Sequence, residues 1–321
     1  MQPTFNIFAD DKDITYHIEK FLTDLSVTDE AGFQSDSLTL TVDDPNGILS
    51  VPKKGVHLRV YLGYQETGVA YVGEFIIDEP ELSGPPDQIV IRGRGADLRN
   101  NLKSSKTRSW DRILLGDIVK KIAGEHQLKP KVAIQLAQQF IEHIDQTHES
   151  DLHFLTRLAK EYDAISKPAA GDLLFTHRNQ SKTVSNKDLP ALVLKRSDVI
   201  SYRLVLADRS DIGHVVAYWQ DKNKAHRISE TVGDKSKPGK TLRKTYMNAN
   251  EARSAAKSEL SALQRGCKKL DITIPGNPRV IAESPIVLSD GWREGFVGNY
   301  VAVRVEHRMG NSGYTTSVSA N

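Results

Sequence analysis

Apolar and polar positions alternate with a period of two through much of the first hundred residues. From Phe33 to Val42, Leu38, Leu40 and Val42 interleave with Ser37, Thr39 and Thr41, and Asp43-Asp44-Pro45-Asn46-Gly47 then breaks the run. That pattern predicts a strand followed by a turn. Val56, Leu58 and Val60 alternate with His57, Arg59 and Tyr61, and Gly63 with Gly68 brackets a reversal into Val69 to Ile77, a predicted hairpin. In this reading Pro80 and the Ser83-Gly84-Pro85-Pro86-Asp87 cluster end the strand, and Ile89 to Ile91 starts another that stops at Gly93-Arg94-Gly95. Five or more strands at such spacing predict a small closed or nearly closed barrel.

The period changes after Asn100-Asn101. Leu115, Ile118, Val119 and Ile122 fall at helical spacing, with Gly124 placed to end the helix. A second helix puts Leu152, Leu155, Leu158, Ala159 and Tyr162 on one face, with Ser150 as its cap. Strands return at Val199 to Leu206 and His214 to Trp219. Residues 220–245 then crowd Lys222, Lys224, Arg227, Lys237 and Arg243 among glycines, with few large apolar groups, and are expected to form an exposed basic arm or long loop. Asn248 with Glu251 resembles a capping box, so a helix is expected from about Ala249 to Arg265, ended by Gly266. Leu270 to Ile274, Pro285 to Leu288, Tyr300 to Val305 and Tyr314 to Val318 close the chain as strands, the last pair a hairpin. The fold class is mainly β, two strand-rich regions flanking an α+β insert.

At 321 residues the chain is long enough for two or three domains. A chain of that size hides about 75% of its extended surface on folding, so it needs neither disulfides nor metals for stability. Its single cysteine, Cys267, cannot form an internal bridge and is expected to be partly buried in a reducing compartment. Met1 to Asp13 lacks the basic and apolar stretches of an export signal, and no run of about 18 apolar residues is present, so cytoplasmic synthesis without stable membrane insertion is expected. Net charge is +2, yet residues 1–100 carry 17 acidic and 8 basic side chains and residues 101–321 carry 24 and 35. Such asymmetry suits head-to-tail contact between unlike surfaces of neighbouring subunits, and leads to the expectation that an acidic first barrel meets a basic second barrel of the next chain. Nucleic-acid binding is disfavoured because the basic residues are scattered among Asp and Glu.

Candidate chemistry is sparse. His143, His148 and His153, with Glu142, Glu149 and Asp151 among them, could offer zinc ligands, but their spacing of five does not suit one helix face and the helix start at Ser150 separates the last two. Gly93-x-Gly95 and Gly291-x3-Gly295-x2-Gly298 lack the strand-to-helix context of phosphate cradles. Glu79-Pro80-Glu81 is expected in a loop, with no apolar pocket to raise a carboxyl pKa for glycosidic cleavage. Trp110, Trp219 and Trp292 are expected in core or interface packing rather than on a glycan platform. No catalytic, cofactor-binding or metal-binding residue is therefore assigned.

The order of parts carries a resemblance. Leu115-Gly116-Asp117-Ile118-Val119-x2-Ile122-Ala123, then Glu149-Ser150-Asp151-Leu152-x-Phe154-Leu155-x-Arg157-Leu158-Ala159, then Val301-Ala302-Val303-Arg304-Val305-Glu306-His307 followed by Gly313-Tyr314-Thr315-Thr316, resembles the late control D family of contractile-tailed phages. The similarity spans nearly the whole chain, with one departure: Leu114 stands where a helix cap would be expected. The resemblance implies a baseplate hub, similar to the base of type VI secretion spike proteins and shared by R-type bacteriocins. It implies two small β-barrel tube-like domains related by pseudo-symmetry, at 1–100 and 196–321, the second interrupted by the basic arm and helix at 220–266, with the mixed α/β insert at 101–195. It further implies a homotrimer whose ring joins a sixfold tail tube, or tube-initiator protein, to a trimeric tail spike among other baseplate proteins. DNA would pass through its channel without specific contacts, after assembly in the bacterial host cytoplasm. A tail-associated peptidoglycan hydrolase and a cell-surface glycan-binding module are the alternatives from other classes.

Overall fold

The computed structural model describes residues 1–32, 35–95, 102, 104–169, 171–178, 189–206, 212–221 and 226–321. The first portion contains β1 (Pro3–Ala9), β2 (Lys12–Asp13), α1 (Thr15–Ile18), β3 (Leu22–Glu30), β4 (Ser37–Asp43), β5 (His57–Tyr64), β6 (Gly68–Ser83) and β7 (Gln88–Gly95). After it come β8 (Ser105–Leu114), α2 (Leu115–Glu125), β9 (Lys129–Val132), α3 (Ile134–Ala137), β10 (Phe140–Ser150), α4 (Asp151–Glu161), β11 (Ala164–Ala169) and β12 (Asp172–His177). Then follow β13 (Leu192–Leu194), β14 (Ser201–Leu206), β15 (His214–Asp221), β16 (His226–Gly233), β17 (Gly239–Tyr246) and α5 (Ala249–Arg265). The chain closes with β18 (Lys268–Pro275), β19 (Pro285–Leu288), β20 (Gly298–Gly310) and β21 (Gly313–Ala320). The protein is mainly β, as its alternation predicts.

These elements form two compact units that the chain enters and leaves repeatedly. The framework unit holds residues 1–98, 190–204 and 270–320, and the insert unit holds 99–189 and 205–269. In the framework, strands run in the order β3-β4-β7-β6-β5-β1 for the first portion and β14-β18-β21-β20 for the second, with β19 and β13 continuing from β20. The two portions meet because β20 pairs antiparallel with β3, from Arg304 opposite Glu30 to Gly310 opposite Asp24. Each portion keeps its own apolar core. One is built on Ile7, Leu25, Leu40, Val60 and Phe75, the other on Leu270, Ile272, Ile286, Tyr300 and Val305. The alternating residues of β4 show why: Leu38, Leu40 and Val42 are buried while Ser37 is exposed and Thr39 and Thr41 are half-buried.

The insert unit carries three small sheets: β8 with β10, β11-β12-β9, and β16-β15-β17. α4 begins where Ser150 Oγ accepts a hydrogen bond from His153 N at 3.2 Å, the cap read from the sequence. α5 likewise starts on Asn248, whose Oδ1 accepts from Glu251 N at 2.9 Å, and ends at Gly266. α2 has no side-chain cap at Leu114; its first amide, Leu115 N, donates to the Gln139 carbonyl at 2.9 Å instead.

Four expectations are corrected. Residues 226–246 are not a loose arm but β16 and β17, flanking β15 and backed by α5; Lys222 and Lys224 lie outside the described residues. Small side chains explain the thin apolar signal, because Val215 and Ala217 close a core with Tyr246 of β17 and a helix face made largely of Ala252, Ala255 and Ala256 with Leu260. β6 continues through Pro80 to Ser83, pairing Pro80 with Ile91 of β7, since β5 stops pairing at Ile76 and leaves no partner for the missing proline N–H. Residues 205–269 cluster with the insert rather than interrupting a domain spanning 196–321. Finally, the basic charge does not belong to the second β portion: the framework carries 23 acidic and 14 basic side chains, the insert unit 18 and 29.

Candidate functional site

Two buried polar clusters hold the fold at its joints, one in each unit. In the framework, His307 lies on β20 opposite Val27 of β3 and Thr316 of β21, and is 1% exposed. Its Nε2 is 3.1 Å from the Val280 carbonyl oxygen. A carbonyl only accepts, so Nε2 carries the proton, and the bare Nδ1 accepts from the Thr316 hydroxyl at 3.1 Å and the Tyr314 hydroxyl at 3.2 Å. Burial pushes the imidazole pKa down to about 4, outweighing the Val280 hydrogen bond and the nearby Asp29 charge. Around it, Tyr64 donates to the Gly276 carbonyl at 3.0 Å and Ala282 N donates to Asp29 at 2.8 Å. Gly276 is required there, because a Cβ would fall 2.1 Å from the Tyr314 ring. The cluster thereby sews the 275–284 loop of the second portion to the first.

In the insert unit, the fully buried Asp151 opens α4. Oδ1 accepts from Arg108 Nη2 at 2.6 Å and Gln146 Nε2 at 2.8 Å, while Oδ2 accepts from Lys106 Nζ at 2.6 Å and stands 2.7 Å from His126 Nε2. Glu125 bridges the same two cations, at 2.8 Å from Lys106 and 2.7 Å from Arg108. Burial raises the Asp151 carboxyl, but hydrogen bonds from Lys106, Gln146 and His126 and the Arg108 charge prevail and hold it below its ordinary value. Arg108 also lies over the Trp110 ring at 4.5 Å, and that ring stacks on Phe154 at 6.0 Å. β8, α2, β10 and α4 are thus locked by one network.

Glu125, His126 and Asp151 each place a ligand atom within 4.8 Å of the others. The donor set does not suit a metal ion, because Lys106 and Arg108 already bring positive charge onto the Asp151 oxygens. The histidines weighed from the sequence find separate partners. His143 on β10 pairs with Asp111 at 2.5 Å and Asp145 at 3.2 Å, bonds that raise its pKa, while His153 on α4 stands 3.5 Å from Glu149. His148 occupies a left-handed position, φ 49°, within a bulge of β10.

Other sequence candidates resolve into packing. Gly93 lets β7 approach β6, where an added Cβ would sit 3.1 Å from the Ile76 carbonyl oxygen, and positive φ is adopted by Gly291 and Gly295 in the loop before β20 and by Gly298 at its first residue. Glu79 and Glu81 stand on β6 beside Arg92 rather than in a loop. Trp292 Nε1 donates to the Leu194 carbonyl at 3.1 Å, and Trp219 packs against the α5 core. Cys267 is half-buried, its Sγ 3.4 Å from the Leu263 carbonyl oxygen. Glu251, whose pKa burial raises, caps α5 and accepts from the Asn248 amide at 2.8 Å. Its raised pKa reflects burial, which outweighs the hydrogen bonds it accepts at the helix start, and not a poised proton donor. Sequence reasoning missed both buried clusters. Asp151 follows a recognised cap, but its partners come from residues as far back as Lys106.

Comparison with known proteins gives a consistent picture. Residues 37–313 match the family described as phage tail baseplate hub (GPD). The chain is 31% identical to the probable baseplate hub protein of Escherichia phage P2, covering 99% of this chain and 92% of that protein. The 43 kDa tail protein of prophage MuSo2 from Shewanella oneidensis shares the fold at a TM-score of 0.73 and 17% identity, over 100% of this chain and 98% of that one. An E. coli component of the type VI secretion system, with structural similarity to T4 bacteriophage tail proteins, is similar at a TM-score of 0.58 and 11% identity, over 100% of this chain and 76% of that one.

Proposed function

Because the chain belongs to the phage tail baseplate hub (GPD) family, and is thus a structural part of the tail baseplate, we propose that it works as a homotrimeric ring of six matching β portions. The observation that carries this reading is the framework: two strand-rich portions, each with its own core, joined edge to edge by β20 and β3. Three such chains present six comparable bricks with threefold symmetry. A closed ring of that kind mates a sixfold tail tube on one face with a trimeric spike on the other, and leaves a channel for DNA. The two portions are read as pseudo-symmetric tube domains, and assembly takes place in the host cytoplasm before incorporation into the tail.

The reading is non-enzymatic. The described carboxylates of the insert unit with displaced acidity are engaged in structure: Asp151 and Glu125 by cations, Asp145 by Ser109 and His143, Asp234 by Ser236, Glu251 by its helix start. Function then resides in shape, symmetry and complementary surfaces. Mass photometry of the purified protein, alone and with its spike, followed by projection imaging, tests it. A trimer with threefold views about a central pore is expected, and a strict monomer even with the spike present would refute the ring.

A further inference from the structure

The sheet β16-β15-β17 has one face on α5 and one face in solvent. Val215, Ala217 and Trp219 turn toward α5, as does Glu230, which pairs with Arg253 of that helix at 3.0 Å. Alternation therefore puts Val216 and Tyr218 at the centre of the opposite face. Ser229 lies directly opposite Tyr218, and the exposed Arg227 reaches over the Tyr218 ring at 5.4 Å. On β17, Thr241 is paired with Val216, and Leu242 turns to the core, which leaves the exposed Arg243 on the solvent side. Among the described residues of these three strands, that face carries no aspartate or glutamate. The pleat leaves Arg227 and Arg243 on this face, and sends Glu230 to the other side together with Lys240, which pairs with Glu259 of α5.

We propose that this face is the surface by which the insert unit docks onto the acidic framework unit of a neighbouring copy of the chain. Its makeup is that of a protein contact, a half-buried tyrosine and a valine between two arginines, ringed by hydroxyls. Two exposed arginines are too few to follow a phosphate backbone, where each neutralised phosphate calls for its own cation. The complementary charge is present in the same chain: the insert unit has 29 basic against 18 acidic side chains, the framework 23 acidic against 14 basic. Opposite excesses on two units of one molecule favour contact between copies and oppose stacking of like units.

The inference rests on the self-assembly proposed above, and sedimentation velocity across a salt series separates the two. Wild type is compared with the double variant Arg227→Glu/Arg243→Glu, and with Arg227→Gln/Arg243→Gln in case the reversal disturbs folding, each checked by circular dichroism. The reversal is expected to raise the concentration needed for assembly by about tenfold or more and to flatten its salt dependence. The neutral pair should act in the same direction with a smaller shift. Wild type that stays monomeric even with its spike present would sink the ring and this contact together. Assembly by both variants with the wild-type midpoint and salt slope would overturn this contact alone, as would variants that assemble normally but lose binding to the spike or to heparin.

Discussion

In the framework unit the buried imidazole of His307 is neutral and rests on a carbonyl and two hydroxyls, whereas in the insert unit the buried carboxylate of Asp151 is ionised and rests on Lys106 and Arg108. Both clusters tie together elements distant in sequence, yet they use opposite electrostatics. The framework buries its ring at the join of two apolar cores, where a charge would be expensive, so the proton is excluded. The insert unit lets its cations reach solvent, Lys106 32% and Arg108 20% exposed, so only the carboxylate is fully desolvated.

The comparison can be broken most forcefully at Asp151. Asp151→Ala strands Lys106 and Arg108 beside Glu125 alone and should cost about 3 kcal/mol or more. Hydrogen exchange should show the loss in β8, β10 and α4, with β20 and β21 still protected; uniform loss across both units would contradict independent joints.

Acid should discriminate the two next. The folded pKa of His307 is about 4 against an ordinary 6.5, so the unfolded chain binds the extra proton first, and framework stability falls as pH drops from about 6.5 to about 4. The full loss approaches about 3 kcal/mol, at about 1.4 kcal/mol per unit. Asp151, whose pKa is lowered from 3.8, keeps its contribution through that window and loses it only as pH falls below the ordinary aspartate range. Thermal melts at stepped pH should therefore show the framework weakening first, and His307→Gln should remove that step.

Smaller effects sharpen the picture within each unit. Gly276→Ala forces a Cβ toward the Tyr314 ring and should cost about 2 kcal/mol in the framework, measured by denaturant midpoint. Asn248→Ala removes the α5 cap and should cost about 1 kcal/mol, confined to the insert unit.

Some of this was legible before any fold was known. β4 follows from Leu38, Leu40 and Val42, and α5 from Asn248, Glu251 and its alanine face, because strand and helix periodicities are local properties of the chain. The tail-hub resemblance also lay in ordered short motifs. β16 and β17 were hidden, since a strand backed by a single helix of alanines needs few apolar residues and reads as a charged loop. The Asp151 cluster was hidden because the partners of this α4 residue come from β8, the end of α2 and β10.

The sequence alone determined the strongly periodic elements, such as β4, α4 and α5, the mainly β class and the family, all of which depend on neighbours within a few turns or strands. Tertiary structure alone decided that 205–269 joins the insert, that the positive charge leaves the second β portion, and that its arginines share one face. Those outcomes depend on strand pairing and chain crossings between distant segments, whose energies are absent from any local window of sequence.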